Sequence, residues 1–428
     1  MKKSNLFLVI LMALIVMSCS KDETTMGIPQ EGNAIEFGTY VGRSAQTRAS
    51  DITTDVLKGK LDTDHTTWIP GTGFGVFAYY TNEGKYTNTG TPVSAPNFMY
   101  NQKVEWNNAT SLWEYEPVKY WPNEVGENRD YVSFFAYAPH SAAPSGGNFA
   151  FTPAKDGQGD PTITYTVNAD AKLQEDLLWG VNNTVANSGA GYGFPFKDLQ
   201  KQTVGGDIKF QFKHALARIG FNVEAMVDLV NTDGTGTTPD TNTGNGAIAD
   251  GTEIVVTKVE LIGKFYGSGA LNLNNTAANV PLWDGVPADP AERTFILSST
   301  ADNFVNEDNY GTELNGAVQT HGQLVTNAKA KLNADDSYLM VIPQAFLLPD
   351  GIKIRVTYDV ITADDKLNTE QSKVTNVITS DKFAFPFVGG NAYTFNLHLG
   401  MTSVKFDADV TGWDEQTGTV VNVPINTN

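Results

Sequence analysis

The stretch from Ala34 to Ser50 reads AIEFGTYVGRSAQTRAS, and it divides into an alternating half and a basic half. In the first half an apolar or β-branched side chain recurs at every second position, which predicts a half-buried β-strand. These residues are Ile35, Phe37, Thr39 and Val41. The second half is small and polar and carries Arg43 and Arg48. Two interpretations are open: an ordinary first strand with a connector, or a strand that an Arg-specific protease can remove from the core it covers.

The N-terminus has the pattern of a bacterial lipoprotein signal. Lys2 and Lys3 precede an apolar run over residues 6–17, which is too short to span a bilayer as a mature helix. Cys19 is the only cysteine, and it follows at the position where a lipoprotein signal peptidase would leave it as the lipidated first residue. We therefore expect a signal peptide over 1–18 and a mature chain without an internal disulfide.

Length, charge and composition limit the function classes. The chain has 428 residues and a net charge of −19, so its surface repels nucleic acid and anionic membrane. It contains 40 Gly and 19 Pro, which favours an all-β protein with many turns. A chain of this length is long enough for two domains.

Short strand patterns follow one another from Trp68 to the C-terminus, with turn residues between them and no long amphipathic helix. Residues 50–67 are polar and indicate no element. Asn107-Asn108 separates two strand patterns and predicts a hairpin. This spacing predicts antiparallel β-sandwiches. The segment 230–252 is rich in Gly, Thr, Asn and Asp, and we interpret it as a linker or long loop between domains at 49–229 and 253–428.

The sequence indicates no catalytic constellation, no cofactor site and no metal site. It lacks a GxSxG elbow, an HExxH motif and a cysteine nucleophile outside the signal. Asp233, Asp240 and Asp250 do not have the spacing of a calcium loop. His214 and His398 lie within strand patterns, which favours a structural role. We therefore do not expect an enzyme.

The tryptophans allow two interpretations. Most lie in the N-terminal half, where they either fill a sandwich core or form an exposed surface that stacks on sugar rings. They include Trp68, Trp106, Trp113, Trp121 and Trp179. Burial of Trp106, Trp113 and Trp121 would favour the core interpretation.

An ordered set of stretches resembles the fimbrillins of the Bacteroidetes. The first part of the set is WIP at 68–70, FGVFAY at 74–79, YWP at 120–122, FFAYAP at 134–139 and FKHALAR at 212–218. The second part is LMVIPQ at 339–344 and the segment from Tyr393 to Trp413. In addition, SKDE at 20–23 resembles the tag that directs lipoproteins of this phylum to the outer face of the outer membrane.

The resemblance implies a pilin with two transthyretin-like β-sandwich domains in tandem, exported as a lipoprotein precursor. It implies that an Arg-specific protease removes residues 19–48, with Arg48 as the first choice of cut and Arg43 as the second. The strand removed would be Ala34 to Val41, and a strand from a neighbouring subunit would fill the groove. The donor would come from the C-terminal end, whose alternating face carries Val421, Val423 and Ile425.

The resemblance also implies the partners and the place of the protein. The partners would be other pilin subunits, the protease and, through the lipid of the precursor, the outer membrane. The precursor would be located at the cell surface as an outer membrane lipoprotein, and the mature subunit in the fimbrium. The alternative from another class is a surface lipoprotein that does not polymerise and that binds glycans through exposed aromatic rings.

Overall fold

The computed structural model describes most of the chain between residues 34 and 421. The described residues are 34–41, 53–86, 95–122, 129–141, 149–152, 157–183, 191–200, 208–225, 252–306, 308–310, 320–326, 328–400, 404–413 and 419–421.

Nearly every element in these ranges is a β-strand, so the all-β class is confirmed. The N-terminal half contains β1 (Phe37–Val41), α1 (Thr54–Lys58), β2 (Gly59–Leu61), β3 (Trp68–Pro70), β4 (Phe74–Glu83), β5 (Met99–Asn107), β6 (Leu112–Glu114), β7 (Arg129–Ala138), β8 (Phe149–Thr152), β9 (Thr162–Thr166), a 3-10 turn (Ala171–Leu173), β10 (Leu178–Asn182), β11 (Phe196–Leu199), β12 (Ile208–His214) and β13 (Ala217–Ala225).

The C-terminal half continues in the same way. It contains β14 (Thr252–Gly263), β15 (Ser268–Asn272), β16 (Leu282–Asp284), β17 (Arg293–Ser298), a 3-10 turn (Ser299–Ala301), β18 (Asp308–Tyr310), β19 (Thr320–Leu324), β20 (Ala330–Lys331), β21 (Leu339–Val341), β22 (Gln344–Phe346), β23 (Lys353–Ala363), β24 (Gln371–Thr379), β25 (Phe385–Phe387), β26 (Asn391–Leu399), β27 (Val404–Gly412) and β28 (Thr419–Val421).

The first sheet, which we call sheet I, closes on itself. Its strand order is β10-β12-β1-β6-β5-β4-β7-β11, and β10 also pairs with β7. The hydrogen-bonded path therefore returns to its start through seven strands, with β11 added beside β7. In this ring β1 is the strand that connects β12 to β6.

The long strands β4 and β7 are buried on both faces because apolar side chains alternate between two cores. In β4, Phe74 and Val76 point to the core that sheet I encloses, whereas Phe77 and Tyr79 point to the larger core outside it. We call the enclosed core the inner core. Its buried members are Ile35, Phe37, Val41, Leu57, Phe74, Val76, Ala78, Met99, Val104, Trp121, Val132, Phe134, Ala136, Ala138, Leu178, Phe196, Leu199, Ile208, Phe210 and Phe212.

The other main sheets combine strands that are far apart in sequence. Sheet II has the order β20-β13-β26-β27-β28, with β21 also paired to β13. Sheet III has the order β18-β19-β14-β23-β24, and a four-stranded sheet joins β8 and β9 to β15 and β16. The sequence analysis placed β13 in the N-terminal unit, but its parallel partner is β26. The domain limits at 229 and 253 stay predictions.

Residues 53–61 form elements that the sequence analysis did not assign. Thr53 caps the five-residue helix α1, because its hydroxyl accepts a hydrogen bond from the Val56 amide at 3.4 Å. Leu57 is the helical residue that enters the inner core. A helix this short presents less than two turns of apolar periodicity, so the surrounding polar residues hide it. In the part of the chain that the structure describes, no helix is long and apolar enough to cross a membrane.

Candidate functional site

The strand predicted over Ala34–Val41 is present as β1, and its alternating face is buried. Ile35 is 1% exposed, Phe37 is 4% exposed and Val41 is 3% exposed. All three belong to the inner core. The predicted placement of Ile35 and Phe37 against a sheet of the N-terminal half is therefore confirmed, and β1 is the first candidate functional element.

The two edges of β1 are held very differently. On one side β1 runs parallel to β12 over five residue pairs, from Phe37 opposite Ile208 to Val41 opposite Phe212. On the other side it meets β6 at a single pair, Phe37 opposite Trp113. The ring of sheet I is therefore weakest between β1 and β6.

The residues just before β1 are held by hydrogen bonds rather than by a ladder. The Ile35 amide donates to the Lys119 carbonyl oxygen at 2.9 Å, and the Ile35 carbonyl oxygen accepts from the Tyr115 hydroxyl at 2.9 Å. Burial raises the pKa of Tyr115 to about 12, so this hydroxyl keeps its proton at physiological pH and remains a donor.

Phe37 provides the main side-chain anchor of β1. Its ring lies in a nest of four aromatic rings, with centroid separations of 5.2 to 6.4 Å. These rings belong to Phe74, Tyr115, Phe134 and Phe210. Edge-to-face and stacked pairs at these separations stabilise beyond the area that they bury. We call this nest the Phe37 pocket.

Thr39 is the poorly fitted position of β1. Its hydroxyl oxygen is buried, and it has no hydrogen-bond partner among the residues that the structure describes. An unsatisfied buried hydroxyl costs about 1–3 kcal/mol. An aliphatic side chain at this position would avoid that cost, so the slot that β1 occupies accepts a more apolar strand than β1 itself.

The end of β1 is tied to helix α1 by one side chain. The Val41 amide donates to the Thr54 hydroxyl at 3.1 Å, and the same hydroxyl lies 3.5 Å from the Val41 carbonyl oxygen. Thr54 therefore ties the end of β1 to the start of α1, which are 13 residues apart in the chain.

We expect Thr54→Val to loosen the end of β1. Loss of the hydroxyl leaves the Val41 amide without this partner, which should lower the free energy of unfolding by about 1 kcal/mol. Trypsin should then cut faster after Arg43 and Arg48, as followed by mass spectrometry of timed digests. Thr54→Ser keeps the hydroxyl and is the control. Equal digestion rates for the two variants would contradict this role of Thr54.

A cavity of about 1100 Å³ lies beside β1 and is the second candidate site. Its walls include Ile35 and Phe37 together with aromatic residues of β3, β5, β6 and the segment after β6. These are Trp68, Trp106, Trp113, Tyr115 and Tyr120. The cavity therefore adjoins the weak side of β1.

The tryptophans divide between the two interpretations offered by the sequence. Trp121 and Trp179 are buried, at 6% and 1% exposure, and Trp121 lies in the inner core. Trp68, Trp106 and Trp113 are half-buried and line the cavity. The sequence could not distinguish the buried tryptophans from those that line the cavity, because the strands that form the cavity come together only in the fold.

The two strand histidines are paired with carboxylates. His214 Nδ1 lies 2.7 Å from Asp176 Oδ2 in a buried pair, and its ring stacks on Trp413 at a centroid separation of 4.1 Å. His398 lies between Glu224 and Asp407 on sheet II. Among the described residues, no group of three or more His, Cys, Asp or Glu is arranged to hold a metal ion.

Several predicted site residues lie outside the described residues. Cys19, the two arginines Arg43 and Arg48, and the donor positions Val423 and Ile425 are in this group. Val421 is the last residue of β28, which pairs with β27. Lipidation, cleavage and strand donation therefore stay predictions.

The fold and the candidate site define an all-β protein whose short first strand completes a closed sheet around an aromatic core. The chain belongs to the fimbrillin-like family, whose sequence model matches residues 47–413. This assigns it to a family of fimbrial subunits of the bacterial cell surface.

The chain is also similar to individual proteins. The chain is 25% identical to the fimbrium subunit Fim1C of Phocaeicola vulgatus over 435 residues, covering 97% of this chain and 98% of that one. A putative cell adhesion protein from Bacteroides uniformis is 15% identical with a TM-score of 0.39, covering 89% of this chain and 99% of that one. The fimbrial anchor protein Mfa2 from Porphyromonas gingivalis is 10% identical with a TM-score of 0.28, covering 90% and 99%.

Proposed function

We propose that this chain is a structural fimbrial subunit that polymerises when a strand from a neighbouring subunit replaces β1. In this proposal the precursor is exported as a lipoprotein on Cys19, and an Arg-specific protease cuts after Arg48 so that Ala49 becomes the new N-terminus. The observation that carries the proposal is the position of β1. Its side chains are buried in the inner core, yet its backbone is laddered to one neighbour and touches the other at one residue pair.

Removal of β1 would uncover a groove that favours a new strand. The inner core would lose Ile35, Phe37 and Val41, and β12 would lose its parallel partner over five residue pairs. An open strand edge beside an apolar groove binds an extended segment, because backbone hydrogen bonds and alternating side chains are both restored. When a donor strand replaces β1, the number of backbone hydrogen bonds to β12 stays nearly constant. The fit of the side chains in the inner core therefore decides which of the two strands binds more tightly.

The sequence match of the family supports the same division of the chain. The matched region, 47–413, leaves out β1 at one end and β28 at the other. In our proposal β1 belongs to the segment that is removed and β28 to the segment that is donated, whereas the matched region contains the body that remains.

The proposed donor is the segment 417–425, whose alternating face carries Val421, Val423 and Ile425. Its described part, β28, lies at the edge of sheet II and pairs with β27 over three residues, from Thr419 to Val421. A strand at the edge of a sheet is released at lower cost than a central strand. An aliphatic donor residue in the position that Thr39 now occupies would also avoid a buried hydroxyl without a hydrogen-bond partner.

We expect deletion of residues 419–428 to abolish self-polymerisation while the body still folds and is still cut. The deleted strand contributes one edge pairing of sheet II, whereas the inner core retains all its members. Gel electrophoresis of unheated surface extracts would show monomer in place of a polymer ladder.

Deletion of only residues 426–428 is the matched control, because it keeps all three donor side chains. This control should polymerise like the parent chain. A polymer ladder of parental length from the 419–428 deletion would contradict the donor role of this segment.

A further inference from the structure

The cavity beside β1 combines aromatic platforms with a polar rim. Tyr120 is 57% exposed, and the rings of Trp68, Trp106 and Trp113 are half-buried in its walls. Trp106 and Trp113 stand edge to face, with centroids 5.6 Å apart, and Trp113 is itself supported by Phe74 at 5.1 Å. The aromatic wall is therefore held from behind by the inner core.

We propose that this cavity binds a neutral oligosaccharide. A pyranose ring presents a C–H face that packs on an aromatic ring, and its hydroxyls require acceptors and donors around it. Binding cavities generally combine an apolar lining with a few placed polar groups. Here the polar groups are carboxylates and amides on the rim. They belong to Glu36, Glu105, Glu114, Glu116, Asn107 and Asn108.

The individual rings have different roles. The Lys58 ammonium lies 4.2 Å from the centroid of the Trp106 ring, so one face of that ring is covered. We therefore assign stacking on sugar to Tyr120 and Trp68, with Trp106 and Trp113 as the supporting wall.

The charge of the lining selects among sugars. Four carboxylates line the cavity, and they outnumber the two lysines that contact its lining, Lys103 on Glu105 at 2.8 Å and Lys58 on the Trp106 ring. A sialylated, uronic or sulfated glycan would place its negative charge among these carboxylates, which is unfavourable. Neutral hexose and N-acetylhexosamine units avoid this repulsion, and carboxylates accept hydrogen bonds from their hydroxyls.

This inference does not rest on strand exchange. Trp68, Trp106, Trp113 and Tyr120 all follow Arg48 in the chain, so the aromatic wall remains after the proposed cut, whereas the wall formed by β1, with Glu36, would leave with the removed segment. A subunit with this site would carry a sugar-binding surface along the length of a polymer.

The test uses the full chain from Ser20 onward and three trisaccharides: cellotriose, chitotriose and the anionic 3′-sialyllactose. Binding is measured by saturation-transfer NMR and by tryptophan fluorescence. We expect one or both neutral sugars to bind and Tyr120→Ala to weaken that binding by about tenfold or more, while 3′-sialyllactose does not bind. Tyr192→Ala is the matched control, because Tyr192 is 50% exposed and lies outside the cavity lining.

Trp68→Ala tests the second platform, and it should also weaken the binding while the thermal midpoint stays close to that of the parent. Three results would overturn the proposal. They are no transfer to either neutral sugar at about 10 mM, preferential binding of 3′-sialyllactose, and equal loss of binding in Tyr120→Ala and Tyr192→Ala.

Discussion

Arg48→Ala is expected to leave the protein as an uncut monomer on the cell surface, with β1 still in its slot. The reason is that β1 fills the inner core with Ile35, Phe37 and Val41, so no groove is open until the connector is cut. A donor strand would have to displace a tethered competitor at high effective concentration. Loss of the polymer should be nearly complete, as measured by gel electrophoresis of unheated surface extracts.

Arg43→Ala is the matched control, since it removes a basic residue from the same connector and keeps Arg48. It should be cut and should polymerise like the parent. If Arg48→Ala is still cut, the Arg43→Ala/Arg48→Ala double variant identifies Arg43 as the site. Parental polymerisation of the double variant would contradict the requirement for cleavage in this connector.

Phe37→Ala is expected to lower the free energy of unfolding of the uncut precursor by about 3–5 kcal/mol. The Phe37 side chain is 4% exposed and contacts four rings of the Phe37 pocket, so its removal leaves a cavity that the closed ring of sheet I cannot fill by collapse. Urea unfolding followed by tryptophan fluorescence measures the loss, because Trp121 belongs to the inner core and Trp113 packs against it.

Tyr192→Ala is again the control, since an exposed side chain should change the free energy of unfolding by about 0.5 kcal/mol or less. The Phe37→Ala precursor should also exchange β1 for a synthetic donor peptide of residues 417–428 faster than the parent does. A precursor with parental stability would show that β1 contributes little to the inner core.

The strands that the sequence predicted well are those whose burial is visible locally. The alternation over residues 34–41 predicted β1. The hairpin predicted around Asn107-Asn108 is confirmed, with Trp106 opposite Trp113. In each case the signal comes from residues that are neighbours in sequence.

The pairings that position the candidate site are not local, and for that reason sequence alone did not predict them. β1 and β12 lie side by side although about 170 residues separate them, and β13 pairs with β26 across a similar gap. The edge strand β24 has side chains that are mostly exposed on both faces, so it shows no alternation. The aromatic cavity depends on the same long-range pairings, because β3, β6 and β1 meet only in the fold.

The central claim is that β1 is removed to license polymerisation, and the N-terminus of the subunit in native fimbriae tests it most directly. Fimbriae sheared from the cell surface are dissociated, and the terminal peptide is read by mass spectrometry. We predict a start at Ala49 with no peptide from residues 34–41 in the purified polymer. A start at a lipidated Cys19 in polymerised subunits would contradict the claim, because β1 would then still be attached.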